Sequence, residues 1–93
     1  MSTGTQFFVV TIYEFVGDLE FPHRTLCSGP DELSVENAVH EGMRTFRGEG
    51  EEGEEGLWDY GETLGRFEHI EQIPNALAGE ILERGILPHW IEL

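Results

Sequence analysis

The sequence contains no lysine, and its 93 residues include only five basic side chains, all of them arginines. A total of 19 aspartates and glutamates oppose these arginines, which gives a formal net charge of −14 at pH 7. A chain this negative is repelled by nucleic acid and by anionic membranes, so we do not expect it to bind either one directly. A basic protein surface is the partner that this charge favours.

Long apolar runs and cysteine pairs are also missing. Cys27 is the only cysteine, so no internal disulfide can form. No apolar stretch approaches the roughly 20 residues of a membrane span. Residues 1–6 have neither the basic nor the apolar region of a signal peptide. These absences predict a protein of the reducing cytoplasm.

The rest of the composition is that of a folded chain. Hydrophobic residues make up 39% and aromatic residues 11%, which is too much for a disordered chain even at this charge. A chain of 93 residues forms one domain, which we place at residues 1–93. Residues 48–56 have the sequence GEGEEGEEG, and this mixture of glycine and glutamate predicts a flexible acidic loop.

Apolar periodicity and turn residues predict an α+β fold. Gln6–Val16 carries apolar residues in both phases of a strand, which predicts a strand covered on both faces or lying in the middle of a sheet. Ser34 is expected to cap a helix that ends at Gly48. Further strands are predicted at 19–27, Leu64–Ile73 and 89–93, and a second helix at Asn75–Arg84.

Together these elements predict a small, mostly antiparallel sheet of three to four strands with two helices on one face. In that arrangement both helices bury their apolar stripes against the same side of the sheet. A ferredoxin-like arrangement is one form that such a fold could take.

Four histidines raise the question of a metal site. They are His23, His40, His69 and His89, and no two have a spacing such as HxxxH that would place two ligands together. Cys27 would need a base to act as a nucleophile, and His23 lies about 13 Å away if the chain between them is extended. The sequence therefore predicts no cofactor, no metal site and no catalytic residue.

The candidate binding residues are acidic. Carboxylates two residues apart on a strand lie about 6.6 Å from each other, which is comparable to the spacing of neighbouring phosphates along a nucleic-acid strand, about two rises of 3.4 Å. Asp18 and Glu20 have this separation in the sequence, as do Glu49 and Glu51. The predicted partner-binding residues are Asp18, Glu20, Asp31, Glu32, Glu49, Glu51, Glu52, Glu54, Glu55, Asp59 and Glu62.

In size, in charge and in segments such as GEGEEGEEG, the chain resembles the small acidic proteins that phages and mobile elements use against host defence. These include DNA mimics and anti-CRISPR proteins. The resemblance implies a non-enzymatic inhibitor that binds a basic nucleic-acid-binding site of a host defence protein, such as a Cas effector, and blocks target DNA. It also implies action in the host cell cytoplasm. The sequence leaves open whether the protein is a monomer or a small homo-oligomer.

Three other functions fit the same sequence. Small acidic immunity proteins and antitoxins neutralise basic nuclease toxins by the same electrostatics. A small metal-binding regulator would instead use the histidines, and an accessory domain would use neither. Trp58, Tyr60 and Trp90 could anchor an interface or fill the core, since aromatic residues serve both purposes.

Overall fold

The computed structural model describes residues 4–93, which form six β-strands, two α-helices and two short 3-10 turns. The strands are β1 (Gln6–Val16), β2 (Leu19–Gly29), β3 (Glu51–Glu52), β4 (Leu57–Asp59), β5 (Leu64–Ile73) and β6 (His89–Glu92). The helices are α1 (Glu32–Gly42) and α2 (Asn75–Arg84), and the 3-10 turns are Met43–Thr45 and Glu54–Gly56.

All six strands join one mixed, strongly curled sheet in the order β3-β4-β5-β1-β2-β6. Neighbouring strands are antiparallel except for β2 and β6, which are parallel. The prediction of a three- to four-stranded, mostly antiparallel and ferredoxin-like sheet is therefore wrong. The sheet has more strands than predicted because β3 and β4 form a hairpin. β3 lies within residues 48–56, where the composition indicates only a loop, and β4 follows directly after them.

The central strand β1 explains how the core is built. Its neighbours are β2 on one side and β5 on the other, so its backbone is paired along both edges. Phe8, Val10 and Ile12 are fully buried on one face, where Val35 and Val39 of α1 cover them. The strand predicted at Gln6–Val16 is confirmed, together with its place in the middle of the sheet.

The opposite face of the sheet carries a second, smaller core. Here Leu26 of β2 and Ile73 of β5 pack with Ala78 and Ile81 of α2. Because α1 and α2 contact alternate residues of β1, the two helices lie on opposite faces of the sheet. The prediction of two helices on one face is therefore wrong. The apolar residues in both phases of β1 did indicate a sheet that is covered on both faces.

The first helix begins and ends earlier than the sequence pattern predicts. Asp31, and not Ser34, is the N-cap, because the Asp31 carboxylate accepts the backbone N–H of Ser34 at 2.7 Å. The helix ends at Gly42 and continues only as the 3-10 turn, well before Gly48. This turn directs the following Phe46 toward the sheet, where its ring contacts those of Tyr60 and Trp90.

The remaining elements agree closely with the local signals. β1 and β2 are joined by a two-residue turn at Gly17-Asp18, with Val16 opposite Leu19. β5 and α2 have the predicted bounds. These elements place the β1–β2 turn and the β4–β5 turn at the same end of the sheet, because Leu64 at the start of β5 lies opposite Phe15 near the end of β1.

Candidate functional site

Seven of the eleven predicted binding residues lie along one edge of the sheet. We call this group the acidic edge; it consists of residues on the β3–β4 hairpin, immediately before it, and in the β4–β5 turn. These residues are Glu49, Glu51, Glu52, Glu54, Glu55, Asp59 and Glu62. Five of these seven acids belong to the predicted 48–56 loop. Three of the seven, Glu51, Glu52 and Asp59, lie on paired strands.

Asp18 and Glu20 lie at the same end of the sheet as the acidic edge, but three strands away. The register aligns Asp59 with Leu64, Leu64 with Phe15, and Phe15 with Glu20. At about 4.8 Å per strand, the path from Asp59 to Glu20 along the curled sheet is about 14 Å. Side chains directly opposite each other share a face of the sheet, so these two carboxylates share a face.

Asp31 and Glu32 are not part of this arrangement. They follow Gly29, which is the end of β2 farthest from the β1–β2 turn. Asp31 is occupied as the cap of α1, and the hydrogen bond from the Ser34 backbone N–H lowers the pKa of its carboxyl. The structure thus separates these two residues from the other predicted binding residues.

The acidic edge holds two like charges directly opposite each other. Glu51 of β3 is the cross-strand partner of Asp59 of β4, and such a pair is destabilising. The Asp59 carboxylate accepts the backbone N–H of Gly61 at 2.8 Å. Within residues 4–93, Glu52 is the one member of the edge with an ion pair, to His40 at 3.4 Å. The edge is therefore almost unneutralised.

Tyr60 attaches the acidic edge to the body of the protein. A Cβ atom on Gly50 would come within 2.6 Å of the Tyr60 ring, and one on Gly65 within 2.9 Å, so both glycines are needed for the ring to fit. The Tyr60 hydroxyl donates a hydrogen bond to the Met43 carbonyl. Burial raises the pKa of Tyr60 to about 12. Gly50 therefore serves packing, and the flexibility of residues 48–56 stays a prediction.

The other two aromatic candidates, Trp58 and Trp90, differ in how far they are buried. Trp58 is only 5% exposed and packs in the core beneath α1, so it is not available as an interface anchor. Trp90 is half-buried, and its ring lies so close to Gly42 that a Cβ there would meet it at 2.7 Å.

The like-charge pair predicts that a substitution at the edge stabilises the protein. Glu51→Lys replaces repulsion of Asp59 with attraction, and we expect the melting temperature to rise by about 2–4 °C. Glu92→Lys on β6 is the control, because it changes the net charge equally and its exposed position has the neutral Ser28 as cross-strand partner. A thermal melt followed by circular dichroism measures both. Equal shifts in the two variants would mean that only net charge matters.

Glu14 forms a buried cluster that the sequence analysis did not single out. Its carboxylate accepts two hydrogen bonds from the Arg47 guanidinium, both at 3.0 Å, and a third contact from His23 Nε2 at 2.7 Å. Arg47 is the main reason that the pKa of the Glu14 carboxyl is lowered. The cluster joins β1, β2 and the segment after α1. The sequence signal that could have indicated this cluster is the position of Glu14 between the aromatic residues Tyr13 and Phe15.

The histidines are dispersed through the fold. His23 contacts Glu14, His40 contacts Glu52, His69 contacts Glu71 at 3.7 Å, and His89 lies 3.0 Å from the Ser28 hydroxyl. In the described part of the chain, no group of three or more His, Cys, Asp or Glu residues could hold a metal ion.

Cys27 lies in the core beneath α1. Its side chain is fully buried. The surrounding apolar side chains raise the pKa of the thiol by desolvation. A thiol in this environment is a weak nucleophile, because the reactive form is the thiolate.

No protein family, curated protein or solved structure matches this chain. The candidate site therefore rests on the geometry of the chain itself. Among residues 4–93, neither helix has the length and apolar character required to cross a membrane.

Proposed function

We propose that the protein is a non-enzymatic inhibitor whose acidic edge binds a basic nucleic-acid-binding groove on a host defence protein. The partner that we propose is a Cas effector in the cytoplasm of the host cell, whose target DNA the inhibitor excludes. The observation that carries this proposal is the Glu51–Asp59 pair, in which two acidic residues lie directly opposite each other on the hairpin and neither has an ion-pair partner in residues 4–93. Such a pair costs stability, and a function that requires dense negative charge accounts for it.

The spacing of the carboxylates supports a groove that normally holds nucleic acid. Directly opposite residues on paired strands have Cβ atoms about 5 Å apart, and the path of about 14 Å to Glu20 along the curled sheet extends the negative charge across the end of the sheet. A nucleic-acid-binding groove presents Lys and Arg side chains at phosphate spacing. A surface of opposite charge speeds encounter with that groove and disfavours neutral or acidic partners.

The β3–β4 hairpin supports the proposal in a second way. Backbone pairing places Glu51 opposite Asp59 and Glu52 opposite Trp58, and the Tyr60 ring packs against the neighbouring Gly50. Fewer degrees of freedom are then lost when the edge binds, which favours affinity. A solvated loop of the same composition would lose that entropy on binding.

The experiment is a pull-down with tagged protein from cells that express CRISPR–Cas and other defence systems, followed by identification of the bound protein. The test variant carries Glu51→Lys, Glu54→Lys and Glu62→Lys. The control carries Glu36→Lys, Glu83→Lys and Glu92→Lys, three exposed acids away from the edge. We expect the wild type and the control to capture a nucleic-acid-binding Cas protein, and the edge variant to lose it.

Other outcomes would redirect or contradict the proposal. Capture of a basic nuclease toxin would assign the same edge to an immunity protein or antitoxin, since the electrostatic requirement is shared. Equal capture by the edge variant and the control variant would show that the acidic edge is not the binding surface. A captured partner without a basic groove would contradict the proposal altogether.

A further inference from the structure

A pocket of about 610 Å³ opens beside the outer edge of β2, and no residue of the acidic edge lines it. Its walls include Arg24, Arg47, His23, His89, Phe46 and Trp90. The pocket exists because β6 pairs with β2 only at Leu26 to Ser28, which leaves the preceding residues of β2 without a strand on that side in the described chain. A volume of a few hundred Å³ is typical of small-molecule sites.

The pocket concentrates positive charge in a protein of net charge −14. Two of the five arginines and two of the four histidines line it. The three other arginines each form an ion pair with a glutamate two to four residues away in the sequence, namely Arg44, Arg66 and Arg84. Arg24 is exposed and forms no ion pair within residues 4–93. His23 shares a face of β2 with Glu14 and Arg47, so Arg24 leaves the strand on the opposite face and borders the pocket from the other side of the unpaired edge.

Two of the three guanidinium nitrogens of Arg47 are hydrogen-bonded within the protein, and the third can donate to a ligand. Its Nε and Nη2 atoms donate to the Glu14 carboxylate, and its Cζ lies 4.6 Å from the centre of the Phe46 ring. Within the described residues, Nη1 has no hydrogen-bond acceptor. Glu14 thus orients Arg47 without using all of its donors, and a fixed guanidinium loses little entropy on binding an anion.

Aromatic rings form the apolar part of the pocket. The rings of Phe46 and Trp90 meet edge to face, with centres 5.8 Å apart. Trp90 is held from behind by Gly42, whose missing Cβ makes room for the indole. His23 also meets the Phe46 ring edge to face at 5.8 Å. These rings present a rigid surface on which a flat ligand can pack.

We propose that this pocket binds a small planar organic anion, that is, an aromatic or heteroaromatic ring that carries one phosphate or carboxylate. The free edge of Arg47 approaches the anionic group from one face of β2 and Arg24 from the other, at the unpaired edge of the strand. Guanidinium groups match the geometry of both phosphate and carboxylate. Phe46 and Trp90 contact the ring. This site uses none of the acidic edge, so the proposal stands independently of the inhibitor function.

The test is a titration of the purified protein by isothermal calorimetry with adenosine monophosphate and, separately, with indole-3-acetate. These two probes distinguish a phosphate from a carboxylate source of the same chemistry. Adenosine and inorganic phosphate are the controls. Adenosine carries the ring without the anionic group, and inorganic phosphate carries the anionic group without the ring. We expect at least one of the two probes to bind saturably, and at least about tenfold more tightly than adenosine or inorganic phosphate, because it uses both parts of the pocket.

Arg24→Gln separates this pocket from general charge effects. We expect it to weaken the binding of the preferred probe by about tenfold or more, since it removes a charged hydrogen-bond donor. Arg84→Gln on α2 is the matched control and should leave the affinity unchanged. Trp90→Phe should abolish any quenching of tryptophan fluorescence by the probe, because Trp58 is buried elsewhere in the core.

Three results would overturn the proposal. The first is the absence of saturable binding by both probes. The second is equal affinity of Arg24→Gln and Arg84→Gln, which would place the bound probe outside the pocket. The third is binding of inorganic phosphate as tight as that of the probes, which would mean that the rings contribute nothing.

Discussion

Replacement of Glu14 by alanine is expected to lower the free energy of unfolding by about 2 kcal/mol. The Glu14 side chain is only 10% exposed and holds Arg47 through two hydrogen bonds. Its removal leaves the guanidinium without its carboxylate and His23 without its acceptor. The Arg47 side chain is 43% exposed, so water can re-solvate it, and the loss lies below the range for ion pairs whose remaining charge stays buried. Urea denaturation measures the change.

Glu14→Gln tests whether charge, rather than shape, carries this stability. Because the Glu14 pKa is lowered in the folded protein, its contribution is present above the ordinary value of 4.5 and is lost as the pH falls through the lowered value. The stability difference between wild type and Glu14→Gln should therefore shrink as the solution is acidified. A difference that is constant from neutral to strongly acidic pH would show that the ion pair is not its source.

Phe8→Ala is expected to have the largest effect of any single substitution considered, a loss of about 4 kcal/mol. Phe8 lies at 0% exposure in β1, and α1 covers it. Truncation of its ring leaves a cavity that the paired strands on both sides cannot close. For a domain of this size that loss is a large part of the total stability. We expect a substantial unfolded fraction at 37 °C, measurable by circular dichroism.

Phe7→Ala is the control that distinguishes a two-sided sheet from a one-sided one. Phe7 points to the opposite face and packs in the core beneath α2. We expect it to cost about 2 kcal/mol, because it is partly rather than fully buried. If both helices lay on one face, Phe7 would face water and its replacement would change stability by less than about 0.5 kcal/mol. That result would contradict the observed arrangement of the helices.

The parts of the fold that were predictable are those specified by local sequence. The β-branched and aromatic run of β1, the Gly17-Asp18 turn and the bounds of α2 depend on residues close together in the chain. Helix capping at Asp31 was mistaken for capping at Ser34, because both residue types serve as caps and only geometry separates them. The faces occupied by the helices depend on long-range packing, which local periodicity does not determine.

The sequence predicts that residues 48–62 are acidic, but it does not predict how these residues are arranged at the acidic edge. Residues 51–52 carry no strand signal, since glutamate has low β-propensity, and they form β3 because Leu57–Asp59 provides a partner. The opposition of Glu51 and Asp59 follows from that register and is invisible in the sequence. Asp31 and Glu32 appear equivalent to the other acids in the sequence, yet they lie at the other end of the sheet. The Glu14 cluster joins residues 33 positions apart and needed the fold to be seen.

The measurement that tests the proposed function most directly is competition between this protein and target DNA for the captured Cas effector. The account predicts that the protein displaces DNA, that displacement weakens as salt is raised, and that the triple variant Glu51→Lys, Glu54→Lys, Glu62→Lys no longer displaces it. The control triple variant Glu36→Lys, Glu83→Lys, Glu92→Lys should retain displacement. Simultaneous binding of DNA and protein to the effector, or undiminished displacement by the edge variant, would contradict the account.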